Sequence, residues 1–453
     1  MPISHQLRYD LNQIVGEAGL LPDDQLAHYC IDGVVPKAVV FPSTTAEIQG
    51  VLIYAADRVL SVIPVGNGTK LGFGNPPEKV DLVLSMSRLN KVLEYEPADL
   101  TVTVQAGIRL ADFQAKLAEN GQWLPLDPPY TDRATIGGII AANSSGPSRL
   151  RYGTARDVVI GLQVIQPNAS VAKSGGKVVK NVAGYDLNKL YVGSFGTLGI
   201  ITEATFKLSP LPEMERTVLL TFRSKRSGDS RIAEEIGQAA SVALDITSSQ
   251  LLPTFLNLFN GVPSTEISEP CLLIGFDGHP EAVRWQIDEV QSIAKQNGVV
   301  GVEVYEGERQ RVLRAAMRAF PEGSFTLRYT ICRANLRMTD IEDFINATLA
   351  FGNELQGSVQ VMGLMGNGIV YIAFSDSPKG TDELQAVANA IARLRDNAFE
   401  VGGNLIVESA PTELKRQIDV WGPIGNTLGL MKGLKAKLDP VGMLNPGRFV
   451  AGI

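Results

Sequence analysis

Cysteine is scarce in this chain of 453 residues: Cys30, Cys271 and Cys332 are the only three, too scattered for any C-x-x-C spacing. An iron–sulfur cluster normally needs four thiolates, so none is expected, and three reduced, buried thiols are expected instead. Excess positive charge is absent. Lys and Arg number 41 against 48 Asp and Glu, a formal net charge of −7, which gives no field to attract a phosphate backbone and excludes nucleic acid as an expected partner. The apolar stretches, such as Ile136 to Ala142, are short and broken by glycine, so none spans a bilayer. The N-terminal MPISHQLRYDLNQ is polar where a secretory signal needs an apolar core, and cytoplasmic residence is the expectation. Only three histidines occur, His5, His28 and His279, each read as a surface or helix-cap residue rather than a catalytic one.

The chain is long enough for two or three packed units. Pro36 to Pro42 reads as a short buried strand, and Thr44 with Glu47 three residues later forms a capping-box signal for a helix through about Arg58. A second strand, Ser61 to Pro64, runs into the glycine-rich PVGNGTKLGFG (64–74), and Val80 to Ser85 follows as another. Leu110, Phe113 and Leu117 fall on one helical face before the stop at Asn120-Gly121. Strands are predicted over Val158 to Ile165 and Gly199 to Leu208, and the unit closes at Ser209-Pro210-Leu211-Pro212. Beyond it, strands such as CLLIGFDG (271–278) and SFTLRYTIC (324–332) alternate with helices, for example one carrying Val283, Ile287, Val290 and Ala294, which argues for a second α+β unit whose sheet is covered by helices.

Glycine, with 45 residues, is where chemistry gathers. A pyrophosphate can be neutralised by converging backbone N–H groups, and glycine allows both the close approach and the positive φ this needs. Three segments, each beside a predicted strand, have that composition: PVGNGTKLGFG (64–74); ATIGGIIAANSSG (134–146), with Asn143, Ser144 and Ser145 as polar donors and acceptors; and VKNVAGYDLNKLYVGSFGTLGIIT (179–202), with Gly193, Gly196 and Gly199 before an alternating strand. Any one of them could be an ordinary turn; three in one half of the chain make a nucleotide site the better reading.

The order of the blocks PVGNGT (64–69), TIGGIIAANSSG (135–146), YGTARDVVIGLQV (152–164), AGYDLNKLYVGSFGTLGIITEATFKL (183–208) and LDPVGMLNPGR (438–448) resembles the vanillyl-alcohol-oxidase/p-cresol-methylhydroxylase family of flavoproteins, and within it the D-lactate and glycolate dehydrogenases. The resemblance implies an α+β chain: a PCMH-type FAD-binding domain of two α/β subdomains over 1–212, a cap or substrate-type domain with a helix-covered sheet over 213–425, and a segment 426–453 returning to the FAD domain. It implies FAD as cofactor, contacted by Pro64, Val65, Gly66, Asn67, Gly68, Thr69, Thr135, Ile136, Gly137, Gly138, Asn143, Ser144, Gly146, Ile201 and Asn445. Relatives that link flavin covalently do so through a histidine in the first loop; Gly-Asn-Gly-Thr stands there in this chain, so the FAD is expected to be non-covalent.

Relatives that oxidise 2-hydroxy acids as single chains bind a divalent metal and substrate through His-x-Gly-Asp-Gly-Asn-x-His and a later Glu-His. The corresponding stretch here is Gly363 to Tyr371 (GLMGNGIVY), with Leu364 and Tyr371 at the histidine positions, and Glu408 is followed by Ser409. No metal and no assigned catalytic residue are therefore expected. Including KNVAGYDL (180–187), the sequence is most similar to the smaller FAD-binding subunits of glycolate oxidases, also called glycolate dehydrogenases. That similarity implies as partners a catalytic flavoprotein subunit and an iron–sulfur subunit, glycolate as the substrate of the assembly, and attachment to the inner face of the membrane only through those partners. Two other readings stay open: a self-sufficient 2-hydroxy-acid dehydrogenase using Tyr371 or Glu408 as base, and a non-catalytic assembly subunit. Arg328 and Arg333 are candidates for a substrate carboxylate, with surface arginine the better reading of each.

Overall fold

The computed structural model describes residues 3–177, 184–320, 330–354, 359–374 and 381–453. The chain divides into two compact units, one of Met1–Ser145, Thr154–Leu211 and Pro423–Ile453, the other of Gly146–Gly153 and Pro212–Gly422.

In the first unit the strands Ala38–Val40, Leu82–Ser85 and Val62–Val65 form, in that order, a parallel sheet. Parallel strands are buried on both faces and read as continuous apolar runs, which is how AVV and LVLS are written. The helix Thr45–Asp57 covers this sheet, and the Thr44 side chain accepts from the Glu47 N–H as the capping signal requires. The reciprocal half of the box is displaced by one residue: the Glu47 carboxylate takes the N–H and hydroxyl of Ser43. Five antiparallel strands make the second sheet, in the order Val92–Glu96, Thr101–Gln105, Ile200–Lys207, Val159–Ile165 and Val171–Gly175. Leu110, Phe113 and Leu117 of the helix Leu110–Ala118 are fully buried in its core beside Val104, Ile140 and Phe206, the outcome that their helical spacing dictates.

The second unit is built on one antiparallel sheet of eight strands, in the order Gly301–Tyr305, Met214–Thr221, Cys271–Gly278, Phe255–Phe259, Val359–Leu364, Ile369–Phe374, Thr330–Asn335 and Asn404–Ser409. Of the strand expected over 324–332, residues up to 329 lie outside the described residues; the described strand starts at Thr330. Helices Asp229–Ser248, Pro280–Gln296, Ile341–Glu354 and Thr381–Glu400 pack on the sheet, and Val283, Val290 and Ala294 are fully buried beneath one of them. Among the described residues no helix is long and apolar enough to cross a membrane.

Residues 146–153 join this second unit although the first unit continues on either side of them. The Tyr152 hydroxyl donates to Asp277 at 2.9 Å and the Arg151 guanidinium to the Leu252 carbonyl at 3.2 Å. Burial pushes the Asp277 carboxyl above its ordinary range, and desolvation together with the nearby carboxylate drives the Tyr152 phenol far above its own, so the phenol is a donor near neutral pH. Tyr152→Phe removes that donor from a buried carboxylate and is expected to cost about 1–3 kcal/mol. Chemical denaturation followed by near-UV signal measures it; an unchanged midpoint would show that the phenol contributes nothing.

The cysteine expectation needs one correction. Cys271 and Cys332 are buried, with thiols pushed up to about 12 by desolvation, but Cys30 is exposed. It follows the short 3-10 helix Asp23–Tyr29, none of whose residues is fully buried, so no core is available to it.

Candidate functional site

The three glycine-rich segments, at 64–74, 134–146 and 179–202, come together in the first unit. A side chain on Gly66 would place its Cβ 1.9 Å from the Thr135 hydroxyl, and the Asn67 amide donates to the Arg133 carbonyl at 2.8 Å, which joins the first segment to the second. Gly193 and Phe195 donate their N–H groups to the carbonyls of Ile140 and Ala141, at 3.0 and 2.8 Å, which joins the third segment to the end of the helix Ile136–Ala142. Gly196 packs against Pro64, and the Phe73 and Phe195 rings lie 4.7 Å apart, closing the third segment onto the first. The 178–183 part of the third segment lies outside the described residues.

What the assembled segments offer chemically is uneven. The N–H groups of Gly66, Asn67, Gly68 and Thr69 donate to no protein acceptor among the described residues, and these residues are half-buried or exposed. Gly68 has φ +75°, a value that turns consecutive amides toward one side and makes an anion-binding concavity. In the second segment the amides of Ile136 and Gly137 are already taken by the carbonyls of Ile108 and Ala106, at 3.0 and 2.7 Å, and the Gly138 amide by the Thr135 hydroxyl. Its remaining polar capacity lies further on, where the buried Asn143 Oδ1 and Ser145 Oγ make no hydrogen bond among the described residues. Asn143 sits in the left-handed region, φ 46°, as the C-cap of the short helix, and Gly193 approaches its Cβ. Ser144 donates its amide to the Ile139 carbonyl at 2.9 Å, and Gly146 falls to the second unit.

Ile201 is a buried residue of the strand Ile200–Lys207 and pairs with Val164. Asn445 is also buried, and its side chain is committed to protein: Nδ2 donates to the Phe195 carbonyl at 2.7 Å and Oδ1 accepts from Arg448 at 3.4 Å, while its own N–H reaches the Val62 carbonyl at 3.0 Å. Sequence reasoning missed the neighbours that hold it. Lys435 donates to the carbonyls of Thr197 and Leu444 and to the Asp439 carboxylate, which in turn accepts from the N–H groups of Met443 and Leu444. The available signals were the i,i+4 spacing of Lys435 and Asp439, which puts them on one helical face, and an Arg448 with no local partner of opposite charge in sequence.

In the second unit the positions corresponding to metal ligands form a different arrangement. Leu364 is buried in an apolar cluster with Phe259, Met317 and Met362. Tyr371 is paired across the sheet with Arg333, and the Arg333 guanidinium lies 3.2 Å from the Glu408 carboxylate. Burial alone would pull the guanidinium down, but Glu408 and the Tyr371 phenol outweigh it and hold Arg333 above its ordinary value. A carboxylate already engaged by a guanidinium, with a leucine and a phenol at the positions of the histidines, does not fit a divalent metal, which needs several anionic or imidazole ligands converging. Arg333 is thus a half-buried residue held in an ion pair rather than the free surface arginine expected of it, and Arg328 lies outside the described residues.

A FAD binding domain model matches residues 36–175, and one for the C-terminal domain of FAD linked oxidases matches residues 211–449. The chain is 32% identical to "Glycolate oxidase subunit GlcD" of Bacillus subtilis, an alignment covering 92% of this chain and 89% of that protein. It is 29% identical to "Probable D-lactate dehydrogenase, mitochondrial" of Danio rerio, over 94% of this chain and 86% of the other. Among solved structures, p-cresol methylhydroxylase superposes with a TM-score of 0.76 at 16% identity, covering 99% of this chain and 97% of that one, and so shares its fold. Four unclaimed loop amides, glycines that admit no side chain and an open polar demand at Asn143 and Ser145 suit a dinucleotide, and with both domain models matched in sequence the chain belongs to the FAD-linked oxidases, as a FAD-dependent oxidoreductase of the PCMH-type fold.

Proposed function

We propose that this chain is a FAD-dependent 2-hydroxy-acid oxidoreductase that acts as the FAD-binding subunit of a multi-component glycolate oxidase, supporting oxidation of glycolate to glyoxylate and delivering the electrons to a separate acceptor. Support for the substrate class comes from relatives whose names specify glycolate and D-lactate. When bound, FAD supplies two-electron redox chemistry. The protein's part is to hold it: Gly66, Asn67, Gly68 and Thr69 with their main-chain N–H groups at the pyrophosphate, Thr135 fixing the second segment, and Asn143, Ser144 and Ser145 with polar atoms along the remainder. The domain plan that goes with this reading is FAD binding by 1–212 and 426–453, with 213–425 as the cap.

The observation that carries the assignment to an assembly is the Arg333–Glu408 pair. Removing a proton from an unactivated hydroxyl calls for a positioned base, worth about 10²–10⁴-fold, and here the carboxylate best placed for that role is neutralised by a guanidinium 3.2 Å away. Isolated protein mixed with glycolate and an artificial dye is therefore expected to show negligible turnover, and turnover appears once a catalytic flavoprotein subunit is added. Steady turnover by the isolated chain overturns the assignment and favours the second reading, a self-sufficient dehydrogenase. That reading has one observation of its own, the Tyr371 phenol paired across the sheet with Arg333, where a phenol and a guanidinium share one face. In both cases the chain's own contribution is independent of metal: treatment with a chelator is expected to leave flavin content and dye reduction unchanged, whereas a loss restored by added Mn²⁺ or Zn²⁺ would contradict it.

A further inference from the structure

The geometry points to Arg448 as a positioning residue for the cofactor, one that fixes the shape of the 64–75 loop from behind and so sets FAD affinity without being a FAD contact. This rests on FAD lying across the three glycine segments.

Arg448 is 8% exposed. Its guanidinium donates to the carbonyls of Leu71 and Phe73, the latter at 2.8 Å, and its own carbonyl accepts from the Asn75 N–H at 2.9 Å. At Gly74, φ +95°, an added Cβ would stand 2.5 Å from that carbonyl. The loop's C-terminal half is thus held by three hydrogen bonds to one residue, which stands 377 positions beyond Leu71 and 375 beyond Phe73. The same residue reaches Asn445, whose amide holds the Phe195 carbonyl in the third segment, and Phe195 stacks between Phe73 and Phe449, with centroids 4.7 and 5.6 Å away. Lys435 ties the Thr197 carbonyl to Leu444 from the other side. Residues 435–449 therefore keep the first and third glycine segments in register with each other, as a local strap.

Two features argue that this arrangement serves the loop rather than general stability. A buried cation is an expensive way to stabilise a fold, since apolar replacement of a buried charge is often neutral or favourable, and desolvation pulls Arg448 down to about 10. The carbonyls it gathers, Leu71 and Phe73, belong to the loop whose preceding amides, 66–69, make no bond to protein among the described residues. Drawing the carbonyl side of a loop inward leaves its amide side facing out, which is the polarity an anion requires.

The test is FAD titration of full-length apoprotein, read by quenching of flavin fluorescence, with the apoprotein's thermal midpoint recorded alongside. Arg448→Met is expected to weaken FAD binding at least about tenfold, the loss of one charged hydrogen-bond set, and Arg448→Lys, which retains a charged donor, to recover part of it. Should Arg448→Met fail to fold, Gly74→Ala breaks the same contact from the loop side and is expected to weaken FAD to a similar extent. Wild-type FAD affinity in either variant overturns the proposal. If Gly66→Val weakens FAD binding while Arg448→Met leaves it at the wild-type value, only the role of Arg448 fails; if Gly66→Val also binds FAD normally, the placement of the cofactor fails and takes this role with it.

Discussion

Replacing Gly66 by valine yields a folded protein that purifies without yellow colour. Gly66 has an ordinary negative φ, so the substitution meets no backbone objection; what it meets is Thr135. The new Cβ would lie 1.9 Å from Oγ1 and 3.0 Å from the Thr135 Cβ. Thr135 is 2% exposed and caps the helix Ile136–Ala142 through the Gly138 N–H, and a β-branched residue has few rotamers to escape into. The two segments must therefore separate. Overpacking of this kind costs about 1–3 kcal/mol, and because the strain is released by moving the loop that carries the unclaimed amides at 66–69, it is spent on cofactor affinity, roughly ten- to hundredfold. Absorbance of the purified variant and FAD titration of its apoprotein decide the matter. A Gly66→Val protein that retains stoichiometric flavin would mean that the first loop lies elsewhere than on the pyrophosphate.

Asp81→Asn is expected to destabilise the first unit by about 2 kcal/mol above pH 4 and by progressively less below it. Asp81 precedes the strand Leu82–Ser85 with its side chain 1% exposed, 2.7 Å from Lys37 and 3.2 Å from Lys79, and it accepts the N–H and hydroxyl of Ser61 at 2.8 and 3.0 Å. Burial by itself raises its pKa, but Lys37, the Ser61 backbone, Lys79 and the Ser61 hydroxyl overcome that and bring it to about 2, from an ordinary 3.8. A carboxyl depressed in the folded state contributes stability that is fully present above its unfolded value and is lost as pH falls through its folded one. The contribution, about 2 kcal/mol at 1.36 kcal/mol per unit, should therefore fade between pH 3.8 and about 2. Urea midpoints of the wild type and Asp81→Asn, compared on apoprotein across that range, check it. A gap that stays constant down to pH 2 would assign the loss to packing and not to charge.

Glu408 illustrates how far motif reasoning reaches. The absence of histidine at 364, 371 and 409 is plain in the sequence, and with it the expectation that no metal binds there. That Arg333 would supply the opposing charge was not, because it depends on the strand order Ile369–Phe374, Thr330–Asn335, Asn404–Ser409, and strand order follows from packing over the whole sheet. Asn445 shows the same limit: resemblance marked it as a cofactor contact, and only the fold reveals that its amide is committed to Phe195 and Arg448.

By itself the sequence determined the local chemistry. Apolar spacing fixed the helices Thr45–Asp57, Leu110–Ala118 and Pro280–Gln296, and small residues at 66, 137 and 196 fixed where backbone could approach backbone, since both are properties of neighbours in the chain. Tertiary structure decided which of those backbones meet. Segments near 66, 135, 195 and 445 are joined by hydrogen bonds and van der Waals contacts that no local rule encodes; they depend on two sheets whose strand orders bring distant stretches side by side, and on buried charges at 435 and 448 whose partners are the carbonyls of those same loops.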